Sequence, residues 1–258
     1  MPEEQQPTVI NIRELDIHSI KPRTDEPEET GSKLVVIGKP GSGKSVLIKY
    51  LCFMKRHLFP AACVISGTED STQFYAEIFA DVAIHNELTE DTVKNFHKRQ
   101  KVAKEYLQQP WALLLMDDCM EDSSFFRKPT FSAHYKNGRH WKLLSILGLQ
   151  YAMDIPPAIR MCIDGTFIFR EPNLRMRKIL YENFASIIPT FKMFCAIMDE
   201  ITSDHTALYI DNRSQSNNFE DCVFWIRADK VPNYKFGSDD YWDFHEARYD
   251  TENVAEAY

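Results

Sequence analysis

The chain has 258 residues, 44% of them hydrophobic, enough for one substantial core with room for an appendage. Its formal net charge of −8 argues against nonspecific nucleic-acid binding by the whole surface, while leaving room for a local basic channel. No apolar run approaches the ~18–20 residues of a membrane-spanning helix, and the six scattered cysteines, without a C-x-x-C pair, fit reduced, packed thiols better than a disulfide frame or a zinc site.

In chain order, residues 1–32 are rich in Pro, Glu and Thr and read as an extension. The start is acidic and polar, unlike a secretory or transit leader. An apolar alternation around Val9–Ile12 predicts one strand there, and Lys21–Ser32 a loose segment. Residues 33–202 carry the core pattern, strand-like runs alternating with helical stretches, which predicts a mostly parallel sheet flanked by helices. The strands are expected at Leu34–Gly38, Ala62–Ser66, Ala112–Asp117, Leu144–Gln150 and Gly165–Phe169, and the helices at Ser45–Arg56, Asp91–Gln108 and Leu174–Phe184. Residues 203–258 form a third region. Thr206–Ile210 and Cys222–Ile226 flank a polar stretch and predict a hairpin, followed by an acidic, aromatic tail from Gly237.

The first core strand runs directly into Gly38-Lys39-Pro40-Gly41-Ser42-Gly43-Lys44-Ser45, a full match to G-x-x-x-x-G-K-[ST] in the strand–loop–helix context the pattern requires. Glycines allow backbone angles and close approach denied to residues with a Cβ. Consecutive N–H groups can then form an anion nest at a helix N-terminus. Lys44 is expected to reach the β/γ-phosphates and the Ser45 hydroxyl to ligate Mg²⁺. These residues predict a nucleoside-triphosphate site.

Its second half is expected 72 residues after Ser45, where the apolar strand 112–116 ends in Asp117-Asp118. The strand is predicted to lie beside the loop strand and to deliver Asp117 to the metal. Asp118, one residue on, is expected to point to the other side of the chain and to orient or deprotonate a water. Gln150, at the tip of the following strand, is a candidate sensor of the γ-phosphate.

These motifs, with the tract Gly138-Arg139-His140-Trp141-Lys142-Leu143-Leu144-Ser145, then Leu149-Gln150-Tyr151, Ile155-Pro156-Pro157-Ala158-Ile159-Arg160 and Asp164–Phe169, resemble the DNA-packaging ATPases of nucleocytoplasmic large DNA viruses. That poxvirus-type group lies in the FtsK–HerA branch of the P-loop ATPases. The resemblance covers roughly residues 33–200. It implies an α/β P-loop NTPase fold of the ASCE/RecA-like kind with a C-terminal β-hairpin extension. It further implies ATP and Mg²⁺ as cofactors, Asp117 on the metal, Asp118 as catalytic carboxylate and Gln150 as sensor. Many relatives of the wider branch carry Glu where this chain has Asp118. The partners implied are double-stranded DNA, bound without sequence specificity, a homo-oligomeric ring of five or six subunits, and capsid or portal components. The setting implied is the virus factory of the infected cell, or the virion.

A ring ATPase needs an arginine across the subunit boundary. Arg139 is the first candidate and Arg160 the second, with Arg170 and Arg175 behind them. For DNA contact, Lys94, His97, Lys98, Arg99, Lys101 and Lys104 form one basic run and Lys128, Lys136, Arg139, His140 and Lys142 another. Phe125, Phe126 and Phe131 in the second segment are expected to be local core. Two other functions fit the motifs: a nucleoside or nucleotide kinase, with Arg170–Lys178 as its lid, and an ATP-binding assembly scaffold.

Overall fold

Runs of Leu, Ile and Val bounded by turn residues become strands buried on both faces, as parallel sheets require. In the computed structural model, which describes residues 11–23, 30–119, 123–151 and 155–248, the strands are β1 (Arg13–Glu14), β2 (Lys33–Ile37), β3 (Ala61–Ser66), β4 (Ile84–His85), β5 (Ala112–Asp117), β6 (Leu143–Leu149), β7 (Gly165–Ile168), β8 (Thr206–Asp211) and β9 (Val223–Arg227). They form one sheet in the order β1-β9-β8-β7-β2-β6-β5-β3-β4. Every pairing is parallel except those that β8 makes with β7 and β9. The helices are α1 (Lys44–Lys55), α2 (Glu69–Thr72), α3 (Glu90–Tyr106), α4 (Pro129–Asn137), α5 (Pro157–Arg160), α6 (Leu174–Phe184), α7 (Phe191–Ile201) and α8 (Asp239–Glu246).

Successive strand residues face opposite ways, and the core divides accordingly. Val35, Ile37, Leu114, Met116, Leu147 and Leu149 face a layer that includes Phe131 of α4, Leu180 of α6 and Phe194 of α7. Leu34, Val36, Leu113, Leu115, Leu144 and Ile146 face Leu47, Ile48 and Leu51 of α1, with Phe79 and Phe236 beyond them. Phe125, Phe126 and Phe131 are buried, as expected. All six cysteines are free.

The core strands and helices fall within two residues of their expected bounds. Three things differ. First, the acid strand β5 does not lie beside the loop strand β2, because β6 is inserted between them. Second, the strand expected at Val9–Ile12 forms at Arg13–Glu14, paired with β9; Val9 and Ile10 lie outside the described residues. Third, the C-terminal hairpin forms as expected, but it is built into the core sheet. Its first strand pairs antiparallel with β7 and continues the core sheet, and α8 follows within the tail. The two-residue edge strand β4 and helices α4 and α7 were not expected. Each is short or lies among turn residues, and its partners, the edge of β3 for β4 and the sheet and neighbouring helices for α4 and α7, come from distant parts of the chain.

Candidate nucleotide site

Parallel strands bring the turns that follow them to one edge of the sheet, where ligands bind in open α/β folds. That edge collects the loop after β2, Gly67 after β3, Asp118 after β5, Gln150 after β6 and Glu171 after β7. β8 runs the other way, so its start, at His205, joins them.

The phosphate loop bends through Gly41 and Gly43, at φ +76° and +101°, conformations in which side chains with a Cβ are strained. Gly43 caps α1 without a side-chain hydrogen bond, leaving the helix N-terminus to an anion. A Cβ on Gly38 would come within 2.4 Å of Ser42 Oγ, an atom that is buried and has no partner among the described residues. The loop is gripped from outside at two points. Lys39 Nζ donates to Glu171 Oε1 at 2.7 Å, and His205 Nδ1 lies 3.0 Å from the Ser42 carbonyl oxygen. Lys39 therefore contacts the β7–α6 connection, while Pro40 is exposed at the loop's crest.

Lys44 is 5% exposed, and its ammonium lies 2.7 Å from Asp117 Oδ1 and 2.8 Å from Asp118 Oδ1. The second contact is an ion pair outside hydrogen-bond angles, since Asp118 Oδ1 has no hydrogen-bond partner among the described residues. Burial works against the charge on Lys44, but the two carboxylates outweigh it and hold the ammonium's pKa above its ordinary value. The expectation that Asp118 points away from Asp117 is corrected here. Asp118 has φ +46°, a left-handed conformation that Asp tolerates better than most residues. The turn swings its carboxylate back onto the lysine that Asp117 also holds.

Ser45 Oγ donates to Asp117 Oδ2 at 3.1 Å, and the Tyr75 hydroxyl donates to the same oxygen at 2.7 Å. Gly148 of β6 makes room for this group, since a Cβ there would stand 1.9 Å from Asp117 Oδ1. A serine hydroxyl beside a carboxylate is a hard oxygen pair of the kind Mg²⁺ takes when phosphate oxygens and water complete its shell. Among the described residues there is no group of three or more acidic, His or Cys side chains able to hold a metal without such help.

Gln150 sits next to the loop, because Gly38 N donates to the Leu149 carbonyl at 3.0 Å. Arg139 and Arg160 lie toward the opposite edge. Arg139 Nη2 pairs with the buried Asp164 Oδ1 at 2.9 Å, and Asp164 Oδ2 also takes the Lys33 N–H at the start of β2. Arg160 ends α5 four residues before Asp164 and donates to the Ile155 carbonyl at 2.9 Å. The basic runs are mostly exposed, but several members are engaged: Lys94 pairs with Glu90, Arg99 donates to Gln100, and Lys101, Lys128 and Lys142 lie over the Trp141, Phe125 and Trp111 rings. His97 is not a surface residue. It is buried and shares a hydrogen bond with His134 at 3.0 Å. Tyr75, Gly148, Glu171 and His205 were not expected at this site. Tyr75 and His205 stand far from the motifs in sequence, and no local pattern marks Gly148 or Glu171 as part of the site.

The NB-ARC domain model matches residues 13–141, half of the chain. Uncharacterized protein 075L of Invertebrate iridescent virus 6 is 49% identical over 248 residues, covering 93% of this chain and 95% of that protein. Uncharacterized protein L437 of Acanthamoeba polyphaga mimivirus is 31% identical over 235 residues, covering 87% and 82%. Among solved structures, the genome packaging NTPase B204 of Sulfolobus turreted icosahedral virus 2, bound to ATP-gammaS, superposes with a TM-score of 0.55 at 16% identity, over 78% of this chain and 98% of that one. The pCW3 conjugation coupling protein TcpA gives 0.53 at 12% identity, over 85% and 66%. At such identities the likeness concerns the fold alone. With its phosphate loop, paired acids and one parallel-rich sheet, the chain belongs to the NB-ARC family of P-loop NTPase domains, in a group of viral proteins that includes 075L and L437.

Proposed function

We propose that the chain is an ATP-hydrolysing motor that moves double-stranded DNA and packages a viral genome into its capsid, as a member of the FtsK–HerA branch. The observation that carries the reading is the cluster in which one loop lysine and one loop serine meet two successive strand-end acids, with a glutamine-tipped strand between the loop and acid strands. Lys44 and the loop amides would hold the triphosphate, and Ser45 and Asp117 the Mg²⁺ site; bound Mg²⁺ would offset phosphoryl charge. Asp118 is freed for a water once Lys44 turns to the phosphates, and Gln150 stands where it can meet the γ-phosphate. The fold of B204, described as a genome packaging NTPase, and the viral origin of the relatives support the same reading.

In this reading the subunits form a ring of five or six on a capsid or portal, in the virus factory or virion. Arg139 or Arg160 acts on a neighbour's nucleotide. Neither touches its own chain's site, as a residue acting across a boundary need not. A kinase reading is disfavoured by the supposed lid. Arg170 and Arg177 are both engaged with Asp199, and Arg177 Nε also donates to the Glu171 carbonyl. The test is phosphate release from ATP with and without double-stranded DNA, alongside a panel of nucleoside acceptors. DNA-stimulated release with no phosphorylated acceptor is expected. Phosphoryl transfer to a nucleoside contradicts the motor.

A further inference from the structure

Asp117 Oδ1 is satisfied by Lys44 and Oδ2 by Ser45 and Tyr75. The first two partners belong to the loop that a triphosphate would engage. Once Lys44 leaves for the phosphates and Ser45 for a metal, Tyr75 is the partner of Asp117 for which the nucleotide does not compete.

Tyr75 is built to stay. It is 2% exposed, edge-on to Phe74 at 5.1 Å and packed against Phe79 at 6.2 Å. Its hydroxyl donates to Asp117 Oδ2 at 2.7 Å from this buried position. Its backbone N–H and that of Ala76 both donate to Glu69 Oε1 at 2.8 Å, pinning the segment to α2. Glu69 is itself 5% exposed. The same stretch leaves β3 through Gly67, where a Cβ would meet the Asp118 carbonyl oxygen at 2.5 Å. The 67–76 segment thus meets the acid pair at two points, Gly67 and Tyr75.

We infer that Tyr75, anchored by Glu69, is the positioning residue that holds the Asp117 carboxylate in its metal-ready orientation through the nucleotide cycle. The inference rests on Asp117 being the metal-side acid. Partners that orient a metal ligand contribute about 10- to 100-fold in metal affinity.

The test uses the full chain with Tyr75→Phe, which removes one hydroxyl and leaves the ring. Binding of a fluorescent ATP analogue is titrated with Mg²⁺ and measured separately in EDTA. The Mg²⁺ concentration at half-effect is expected to rise about tenfold, with affinity in EDTA unchanged. Tyr181→Phe, which removes a hydroxyl bonded to the Ile188 carbonyl in another layer, is expected to match the wild type. Glu69→Ala, which loosens the segment without touching the ring, is expected to shift the Mg²⁺ dependence in the same direction and serves if Tyr75→Phe does not fold. A wild-type chain whose binding ignores Mg²⁺ overturns the role of Asp117 and this role with it. A wild-type Mg²⁺ dependence left intact by Tyr75→Phe, or by Glu69→Ala where that variant serves, overturns the role of Tyr75 alone.

Discussion

Lys44 lies between two carboxylates within 2.8 Å, so its removal and theirs have different consequences. Lys44→Ala is expected to abolish nucleotide binding, because it deletes the phosphate cation and leaves the buried Asp117 and the half-buried Asp118 without the charge between them. Asp118→Asn keeps the size of the group and one acceptor, so binding should survive while turnover falls about 10²–10⁴-fold, the usual contribution of a general base. Equilibrium binding and phosphate release on the same preparation separate the two; loss of binding in Asp118→Asn would instead give that residue a metal or structural role. Gly148→Ala is the sharper steric test. Its new Cβ would collide with Asp117 Oδ1 at 1.9 Å, in a strand whose backbone cannot retreat. Overpacking of about 1–3 kcal/mol, seen as a lower Tm, should accompany loss of Mg²⁺-dependent binding. A variant that retains both contradicts the geometry described for Asp117. The loop and its acids are legible in the sequence because each is a short run with a fixed chemical requirement. Tyr75 and Gly148 are not legible, because only the pairing of β5 with β3 and β6 brings their segments to the acid.

At the scale of elements, α3, α4 and β6 are joined by a buried chain of hydrogen bonds. His97 Nε2 meets His134 Nδ1 at 3.0 Å, and His134 Nε2 meets Ser145 Oγ at 2.8 Å. Burial lowers the His97 pKa to about 4 and drives that of His134 well below its ordinary value. A group whose folded pKa is depressed binds more protons unfolded than folded. Stability from this chain is therefore present above about pH 6.5, the unfolded histidine value, and is lost as the pH falls toward 4. The Tm should drop across that window, and His134→Gln should flatten the drop; an unchanged slope in the variant contradicts the assignment. On the opposite edge from the nucleotide site, Arg139 ties the start of β2 to the turn before β7 through Asp164. Arg139→Ala strands a buried carboxylate and should cost about 1–3 kcal/mol, read by denaturant unfolding, with nucleotide affinity preserved. If Arg139 is also the trans finger, doping this variant into wild-type protein lowers turnover more than in proportion to its share. The helices anticipated from sequence are those with long periodic patterns or a strong start, such as α3 with Thr89 capping the Thr92 N–H. Helices α4 and α7 lie between turn residues, and their apolar faces gain meaning only from the sheet they cover.

For the whole molecule, sheet order matters more than strand count. The alternation of apolar runs predicts a mostly parallel sheet, but it carries no information about which strands are neighbours. The insertion of β6 between β2 and β5 places Gln150 between the phosphate loop and the acid pair, and makes the three strand ends a single edge. The hairpin enlarges that edge, because β8 runs against the sheet and returns His205 to the loop. Among the described residues no helix is long and apolar enough to cross a membrane. Exposed lysines on α3, together with Lys136, leave local positive charge on a chain whose total is −8, so any DNA contact should weaken steeply with salt. The most direct measurement of the proposed motor activity is ATP-driven displacement of a triplex-forming strand from double-stranded DNA. Displacement that requires ATP and disappears in both Lys44→Ala and Asp118→Asn is the predicted result. Robust ATP hydrolysis with no displacement at any salt concentration would contradict it.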